Sequence, residues 1–335
     1  MKALLTISLL LHLTAASAAA PHGLYVLWRP DAPVGPLADG VTITVPWSDV
    51  EPSAGVYDWS AIDAGIRAAG RLPVMIGVTP GVHTPGWVYA AGARSVAMTW
   101  AWRYAFAKCS TVALPVPWDP VYVGAWTQFI GALGARYAGN PQVSAVKVAG
   151  INGKTIEQVL PVQAPAGCPN PIEPLNGWLA VGYRPSLLTR AWASELNAYL
   201  AAFHAMPMVL QTGPWSMPGI NEQGQVTRPD WGLTTVLMRQ FASAAGSRAI
   251  LENDGLAATR WQWRSPLDGV AVATQAGGPV TRDARCRLAG GPPCDPAAVV
   301  REMLARTADD VFVEFYPPDV NNPALAGLFR SRFPN

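Results

Sequence analysis

VPWSDVEPSAGVYDWSAIDAGIRAAGRLPVMIGVTPGVHTPGW, residues 45–87, is the stretch of sequence that decides the fold. It continues an apolar, β-branched run that begins at Gly40, crosses an acidic segment, and enters an amphipathic pattern at Ser60. A second apolar run, 72–78, ends in an aromatic segment. The pattern predicts strand, acidic loop, helix, strand and aromatic loop. In such a βαβ unit the tryptophans and the carboxylate follow the strands, where parallel α/β proteins bind their ligands.

The same alternation continues along all 335 residues. Eight short apolar runs predict strands at 23–28, 41–46, 72–78, 143–148, 208–212, 248–251, 269–274 and 310–315. Amphipathic segments between them predict helices at 61–69, 125–137, 188–204, 234–245 and 297–307. A doubly wound open sheet is the competing fold, but it predicts fewer strands and a glycine-rich loop where Trp28-Arg29-Pro30 stands. We predict the α/β class and a single (β/α)8 TIM barrel from residue 21 to 335.

Long connections follow four strands on the C-terminal side, at 79–120, 150–185, 213–232 and 275–296. Loops of this length in a compact domain usually carry function. They contain all four cysteines, which can pair in three ways. Proximity favours Cys286 with Cys294, which leaves Cys109 with Cys168. Neither CxxC spacing nor a neighbouring histidine suggests zinc.

The first twenty residues predict a cleavable secretory signal peptide. Lys2 precedes an apolar run from Ala3 to Leu13, and the small residues Ala16-Ser17-Ala18 provide a cleavage pattern. The run is too short for an ordinary transmembrane helix, and no later segment is apolar for long enough. A retained anchor is the alternative, although no cysteine follows the cleavage region. We expect a secreted or periplasmic monomer, and disulfides suit such a compartment.

Composition narrows the class of function. Half of the residues are hydrophobic, 14% are charged and the net charge is +2, so a large core is available and nucleic acid is not an expected partner. The four histidines are too few for a histidine-rich metal cluster, and no GxSxG motif supports a serine hydrolase. Neither a metal nor an organic cofactor is expected.

The pattern W..VEP..G.YDW..ID at residues 47–63, followed by TP.W at residues 84–87, resembles a known family. It is similar to the early part of the (β/α)8 glycoside hydrolases of the β-galactosidase and cellulase clan. The resemblance covers three βα units well, the fourth weakly, and the second half mainly by strand count. It implies hydrolysis of glycosidic bonds, with an acid/base glutamate after strand four and a nucleophilic glutamate after strand seven. It also implies that Glu51 belongs to a structural turn.

Glycoside cleavage needs two carboxyls that flank one bond, one protonated and one ionised. Three of the eight glutamates stand at or just past strand ends: Glu157, Glu252 and Glu314. Glu195 and Glu302 fall in helices that a barrel places on its outer surface, and we expect both to be solvated.

Glu157 matches the acid/base position by strand count, although residues 149–157, AGINGKTIE, lack the clan's Asn-Glu dipeptide. Strand seven ends in Gln275, a neutral amide that cannot form a glycosyl ester. Glu314 is the relocated candidate, because strand eight lies opposite strand four and alternate side chains point inward. It would be the nucleophile or, with widely separated carboxyls, the base of an inverting enzyme. An ion pair at the barrel edge is its alternative role, and Glu252 is a possible third carboxylate.

Aromatic side chains support a sugar ligand independently. Seven tryptophans follow strands two to five: Trp47, Trp87, Trp100, Trp102, Trp118, Trp178 and Trp215. Indole rings stack well on pyranose rings, and exposed aromatic loops need a ligand or a packing partner. Packing is the alternative for each tryptophan taken singly. The predicted substrate-binding residues are Trp47, His83, Trp87, Asn152, Gln211, Trp215, Gln275 and Tyr316.

The sequence therefore predicts an exported glycosidase that cleaves an extracellular oligo- or polysaccharide with Glu157 and Glu314. The rival is a catalytically inactive carbohydrate-binding barrel. Gln275 and the missing Asn-Glu dipeptide favour that rival.

Overall fold

The computed structural model describes residues 20–100, 106–153, 155–212, 216–256, 265–280 and 295–334. The predicted signal peptide up to residue 19, Trp102, Trp215 and the predicted pair Cys286 and Cys294 lie outside these ranges. The strands within them are β1 (Gly23–Leu27), β2 (Gly40–Pro46), β3 (Val74–Thr79), β4 (Ser95–Thr99), β5 (Thr111–Pro115), β6 (Val143–Lys147), β7 (Met208–Thr212), β8 (Ala249–Leu256), β9 (Ala271–Ala276) and β10 (Phe312–Phe315).

Eight of these strands are parallel and close into a barrel, which confirms the predicted fold. Their order around the barrel follows the chain, β1-β2-β3-β6-β7-β8-β9-β10, and β10 pairs again with β1. All eight predicted strands therefore form in the predicted order. The remaining two strands, β4 and β5, form an antiparallel pair inside the long connection after β3, where the sequence predicted only a loop.

The α-helices in the described ranges are α1 (Trp47–Val50), α2 (Ser60–Ala69), α3 (Gly86–Ala90), α4 (Pro120–Tyr137), α5 (Pro174–Ala180), α6 (Pro185–Ala202), α7 (Gly232–Ala245), α8 (Pro296–Arg306), α9 (Pro317–Val320) and α10 (Ala326–Arg332). The five predicted helices correspond to α2, α4, α6, α7 and α8. Helix α4 begins earlier than predicted because Pro120 occupies its first turn and Asp119 caps it. The Asp119 carboxylate accepts hydrogen bonds from the backbone N–H groups of Val121 and Tyr122. No helix in the described ranges combines the length and apolarity needed to cross a bilayer.

Glu51 holds the opening stretch together. Its carboxylate accepts hydrogen bonds from the Trp47 indole at 2.8 Å and from the Gly55 backbone at 2.9 Å. Its backbone carbonyl accepts the Trp87 indole N–H at 3.0 Å. The side chain is almost fully buried. These contacts give Glu51 the structural role that the resemblance implied.

The barrel interior follows from a period of two along the strands. A lower apolar layer is formed by Tyr25, Met75, Ala145, Val209, Ile250, Ala273 and Phe312. Side chains two residues apart on a strand face the same way, so the next inward layer comes two residues later. On β6 to β10 that layer consists of Lys147, Gln211, Glu252, Gln275 and Glu314, here called the polar layer. It lies toward the C-terminal ends of the strands.

A disulfide joins two of the long C-terminal connections. Cys109, directly before β5, is bonded to Cys168, which lies between β6 and α5. The predicted pairing of these two cysteines is confirmed. Such a crosslink between loops is typical of proteins from oxidising compartments.

Candidate active site

Lys147 is the centre of the polar layer. Its ammonium nitrogen lies 2.8 Å from Glu252 Oε2 and 3.3 Å from Glu314 Oε2, and it donates to Gln211 Oε1 at 2.8 Å. Strands β6 and β10 stand on opposite sides of the barrel, so contact between Lys147 and Glu314 requires both side chains to cross the interior. All three ionisable side chains are fully buried. Lys147 was not among the predicted site residues, although a lysine within the apolar run 143–148 was a visible signal.

Two glutamines connect Lys147 to Glu314 by a second route. Gln211 accepts from Lys147 and donates its own amide N–H to Gln275 Oε1 at 2.6 Å. Gln275 in turn donates to Glu314 Oε2. Each amide thus accepts a hydrogen bond from the Lys147 side and donates one toward Glu314. Glu314 Oε2 accepts from two donors, Lys147 and Gln275. Glu314 Oε1 has no hydrogen-bond partner among the described residues.

These contacts revise the predictions for both glutamines. Gln211 and Gln275 were predicted to bind substrate, and the structure places both in the buried polar layer. Gln275 stands at the end of the seventh barrel strand, where the resemblance implied a glutamate. Its amide N–H is nevertheless used to hold the carboxylate of the neighbouring strand, because Gln275 and Glu314 stand side by side in the register of β9 and β10. Gln275 and Glu314 therefore form one hydrogen-bonded unit.

Burial and neighbouring charges shift the pKa of both Glu252 and Lys147. Burial raises the pKa of Glu252 to about 8. The positive charge of Lys147 opposes this shift, and the negative charge of Glu314 adds to it. Burial alone would lower the pKa of Lys147, but the charges of Glu252 and Glu314 outweigh it and raise the pKa. Near neutral pH the layer therefore holds a protonated Glu252 and a charged Lys147.

Glu157 lies in the connection after β6 and is half-buried. Its negative charge contributes to the raised pKa of Glu252 and of Tyr316, which places it close to both. Its Oε2 atom has no hydrogen-bond partner among the described residues. Glu157 is thus near the polar layer but outside its hydrogen-bond network.

The segment that carries Glu157 is shaped by two buried amides. Asn152 donates to the backbone carbonyls of Ile156 at 2.6 Å and Glu157 at 2.9 Å, and its oxygen accepts from Gly150 N at 2.5 Å. Gln158 accepts from Ile151 N and donates to Val148 O, both at 3.1 Å. Asn152 was predicted to bind substrate, but its amide is occupied within its own loop. Gln158 was not among the predicted site residues.

Some of the predicted aromatic residues pack in the core, and others are partly exposed. Trp47 is fully buried, with its ring centroid 4.9 Å from Trp126 and 5.7 Å from Phe129 of α4. It therefore packs the barrel against α4 and presents no surface to a ligand. Trp87 is half-buried against Trp47 in an edge-on contact. Among the other loop tryptophans, Trp100 and Trp178 are also fully buried, and Trp118 is half-buried.

His83 and Tyr316 remain partly exposed on the C-terminal side. His83 follows β3 in a 3-10 turn and stacks on Phe106, with ring centroids 6.2 Å apart. Burial lowers its pKa, and the charge of Asp49 opposes that shift. Tyr316 follows β10 directly, and burial together with the Glu314 charge raises its pKa to about 12. A neutral phenol beside Glu314 can donate a hydrogen bond to a ligand hydroxyl.

Gly81 shows how closely these loops meet. It starts the 3-10 turn at a φ of +67°, and a Cβ atom there would lie 2.4 Å from the Gly153 carbonyl oxygen and 2.5 Å from that of Asn152. The next residue, Val82, donates its backbone N–H to Gly153 O at 3.0 Å. Only glycine fits this position, and it couples the His83 turn to the loop that carries Glu157.

Glu195 contradicts the expectation of a solvated helical residue. It is fully buried on the inner face of α6, where a Cβ on Gly150 would lie 1.8 Å from its Oε2. Neither carboxyl oxygen has a hydrogen-bond partner among the described residues, and burial raises its pKa well above the ordinary value. The acid is therefore protonated beneath the end of β6. The helical period alone did not reveal that glycine at 150 leaves room for a side chain from α6.

Glu195→Gln should reduce the loss of stability at higher pH. The unfolded chain releases the Glu195 proton above about pH 4.5, whereas the folded chain keeps it. Stability therefore falls as pH rises above that value, by about 1.4 kcal/mol per unit, until the folded pKa is reached. Urea unfolding from about pH 5 to about pH 8 should show a smaller decline for the variant. The control Glu302→Gln, on the exposed face of α8, should follow wild type, and parallel curves for wild type and Glu195→Gln would contradict the assignment.

Within the described ranges, no group of three or more histidine, cysteine, aspartate or glutamate side chains is arranged to hold a metal ion. The described groups at the site are carboxyls, one ammonium, amides, a phenol and the His83 imidazole.

Fold and site together define a (β/α)8 barrel with a buried ionisable layer at its C-terminal end. The fold is similar to that of several solved glycoside hydrolases. The catalytic domain of β-amylase from Paenibacillus polymyxa matches with a TM-score of 0.58 at 11% identity, covering 94% of this chain and 98% of that chain. The β-galactosidase of Rahnella sp. R3 matches with a TM-score of 0.51 at 12% identity, covering 89% of this chain and 50% of that chain.

The β-galactosidase of the psychrophilic Marinomonas ef1 gives a TM-score of 0.50 at 10% identity, over 88% of this chain and 53% of that chain. This chain thus spans about half the length of the two β-galactosidases and nearly all of the β-amylase domain. No protein-family model and no curated protein sequence matches the chain. Identities this low establish a likeness of fold.

Proposed function

We propose that this protein is an exported glycoside hydrolase that cleaves an extracellular oligo- or polysaccharide. The observation that carries the proposal is the state of Glu314. Its Oε2 is held by Lys147 and Gln275, while its Oε1 has no hydrogen-bond partner among the described residues. A buried carboxylate held through one oxygen, with its other oxygen unpaired among the described residues, supports a positioned nucleophile at the end of the barrel where such enzymes act.

The proposed reaction has two steps. A Glu314 carboxylate oxygen bonds to the anomeric carbon as the glycosidic C–O bond breaks, and its electron pair leaves with the oxygen, which takes the Glu157 proton. Water then attacks the same carbon, gives a proton to ionised Glu157, and releases the sugar and the Glu314 carboxylate. The half-buried position of Glu157 near Glu252 and Tyr316 supports its role as the acid/base group. Carbohydrate is the proposed partner, and Trp87, His83 and Tyr316 are the proposed contacts.

The test is hydrolysis by the purified protein. Incubation with a panel of oligosaccharides, polysaccharides and aryl glycosides should release reducing sugar or aglycone from at least one substrate. Binding of a glycan without release from any member of the panel would contradict the proposal and favour the inactive carbohydrate-binding barrel.

The variant Glu157→Gln tests whether Glu157 is the acid/base group. Loss of a positioned proton donor costs about 10²- to 10⁴-fold, so kcat should fall by at least about a hundred-fold on an alkyl glycoside. The loss should be much smaller for a dinitrophenyl glycoside, because that leaving group needs no proton. Paired kinetics on the two substrates measure the difference, with Glu173→Gln as a control in the same long connection. Equal losses on both substrates would contradict the acid role.

A further inference from the structure

A lysine without any exposed surface is rare, because removing an ammonium from water costs several kcal/mol unless partners replace the water. Lys147 has such partners: Glu252 and Gln211 at 2.8 Å and Glu314 at 3.3 Å. Gln211 and Glu314 accept hydrogen bonds from the ammonium, and Glu252 lies at ion-pair distance from it. Two of these partners are carboxyls, so one positive charge serves two acidic groups.

Building on the proposed glycosidase activity, we propose that Lys147 is a positioning residue of the reaction. Its ammonium, shared between Glu252 and Glu314, keeps Glu314 ionised as the nucleophile and leaves the proton on Glu252. Lys147 acts through Glu314 and does not itself contact substrate.

The contacts decide which carboxyl holds the negative charge. Glu314 Oε2 accepts hydrogen bonds from Lys147 and from the amide N–H of Gln275, whereas Glu252 has only its ion pair with Lys147 among the described residues. The amide of Gln275 is fixed in its donating direction by Gln211, which is fixed in turn by Lys147. Two donors stabilise a carboxylate more than one does, so the charge belongs on Glu314. Retention of the proton by Glu252 to about pH 8 agrees with this arrangement.

The two phenols nearest the layer leave this balance unchanged. Tyr25 faces it from β1 and Tyr316 from the end of β10, and burial raises the pKa of each phenol to about 12. Both are therefore neutral where the enzyme would work. Among the described residues Glu157 is a further acidic neighbour, and when ionised its charge disfavours ionisation of Glu252. The polar layer thus holds one ammonium, one carboxylate and one carboxylic acid.

The experiment compares Lys147→Met, which keeps the length of the side chain and removes its charge, with wild type. Lys108→Met, at an exposed lysine, is the matched control. The acidic limb of the kcat/KM profile reports the ionisation of the nucleophile in the free enzyme. In Lys147→Met this limb should move to higher pH by about one unit or more, with activity recovering toward the alkaline side. Lys108→Met should retain the wild-type profile.

A merely structural role would lower activity equally at every pH. A folded Lys147→Met variant whose acidic limb coincides with that of wild type would overturn the proposal. Absence of hydrolysis by wild type would instead overturn the proposed function, and the proposal for Lys147 would then be decided by titration without substrate. For that measurement, NMR of the labelled glutamate carboxyls follows Glu314, identified by the signal that Glu314→Gln removes.

In the NMR titration, the Glu314 signal should change at a higher pH in Lys147→Met than in wild type, by about one unit or more. Identical titrations would overturn the proposal. If Lys147→Met does not fold, the comparison is between Glu252→Gln and the double variant Lys147→Met/Glu252→Gln, which contains one buried carboxyl fewer. The same upward movement of the Glu314 signal is expected there, and its absence would have the same meaning.

Discussion

Glu314→Gln should lower kcat by about 10⁵-fold or more, the scale on which a covalent catalyst loses activity with its nucleophile. The amide has nearly the shape of the carboxyl but cannot form the glycosyl ester. Fold should be preserved, because Gln275 and Lys147 still find an oxygen in place of Glu314 Oε2. Stopped assays with an activated aryl glycoside measure the residual rate, and circular dichroism verifies the fold.

Glu314→Ala extends this test to the stereochemical course. Removing the side chain opens space at the anomeric carbon, so azide should restore part of the turnover of an activated substrate and give a glycosyl azide of inverted configuration. Glu302→Gln on α8 serves as the control and should keep wild-type kinetics. Rescue without a glycosyl azide, or wild-type hydrolysis that inverts the anomeric centre, would contradict Glu314 as the nucleophile and favour its role as a base.

Trp47→Ala should destabilise the protein by about 3–5 kcal/mol, the usual cost of truncating a buried aromatic side chain. The indole is fully buried among Trp87, Trp126 and Phe129, and truncation leaves a cavity between the barrel and α4. It also removes the indole donor of the Glu51 carboxylate. Urea unfolding with a common m-value measures the change in free energy.

Trp231→Ala is the matched control, because that tryptophan is 60% exposed and its loss should change stability by less than about 0.5 kcal/mol. The same variants test the predicted contact of Trp47 with substrate. Packing predicts that the folded fraction of Trp47→Ala keeps the wild-type KM. A stable variant with a strongly raised KM would restore the sugar-binding interpretation.

The period of the apolar pattern was sufficient to predict the barrel. All eight strands were predicted in their order around the barrel, because backbone pairing of parallel strands depends on local alternation and on the helices between them. The inward direction of Glu314 followed from the same alternation. The pairing of Cys109 with Cys168 required only the spacing of cysteines.

The sequence pattern could not predict contacts between side chains of distant strands. Lys147 was passed over because a single lysine in an apolar strand carries no sign of its partners, which come from β8 and β10. Glu195 was expected in water because helical periodicity does not show that Gly150 leaves space beneath β6. Trp47, Trp100 and Trp178 were weighed as sugar-binding residues, and burial assigns them to packing.

The sequence by itself determined the eight-stranded barrel, the long connections on its C-terminal face and the set of glutamates from which a site can be built. Those features depend on local periodicity and strand count. Only the tertiary structure decided the partners of each glutamate within the described ranges: Glu314 contacts Lys147 and Gln275, Glu252 contacts Lys147, and the Glu195 carboxyl has no hydrogen-bond partner there. The physical reason is that ionisation in a barrel interior depends on distances of about 3 Å between side chains from opposite strands, and barrel closure alone sets those distances.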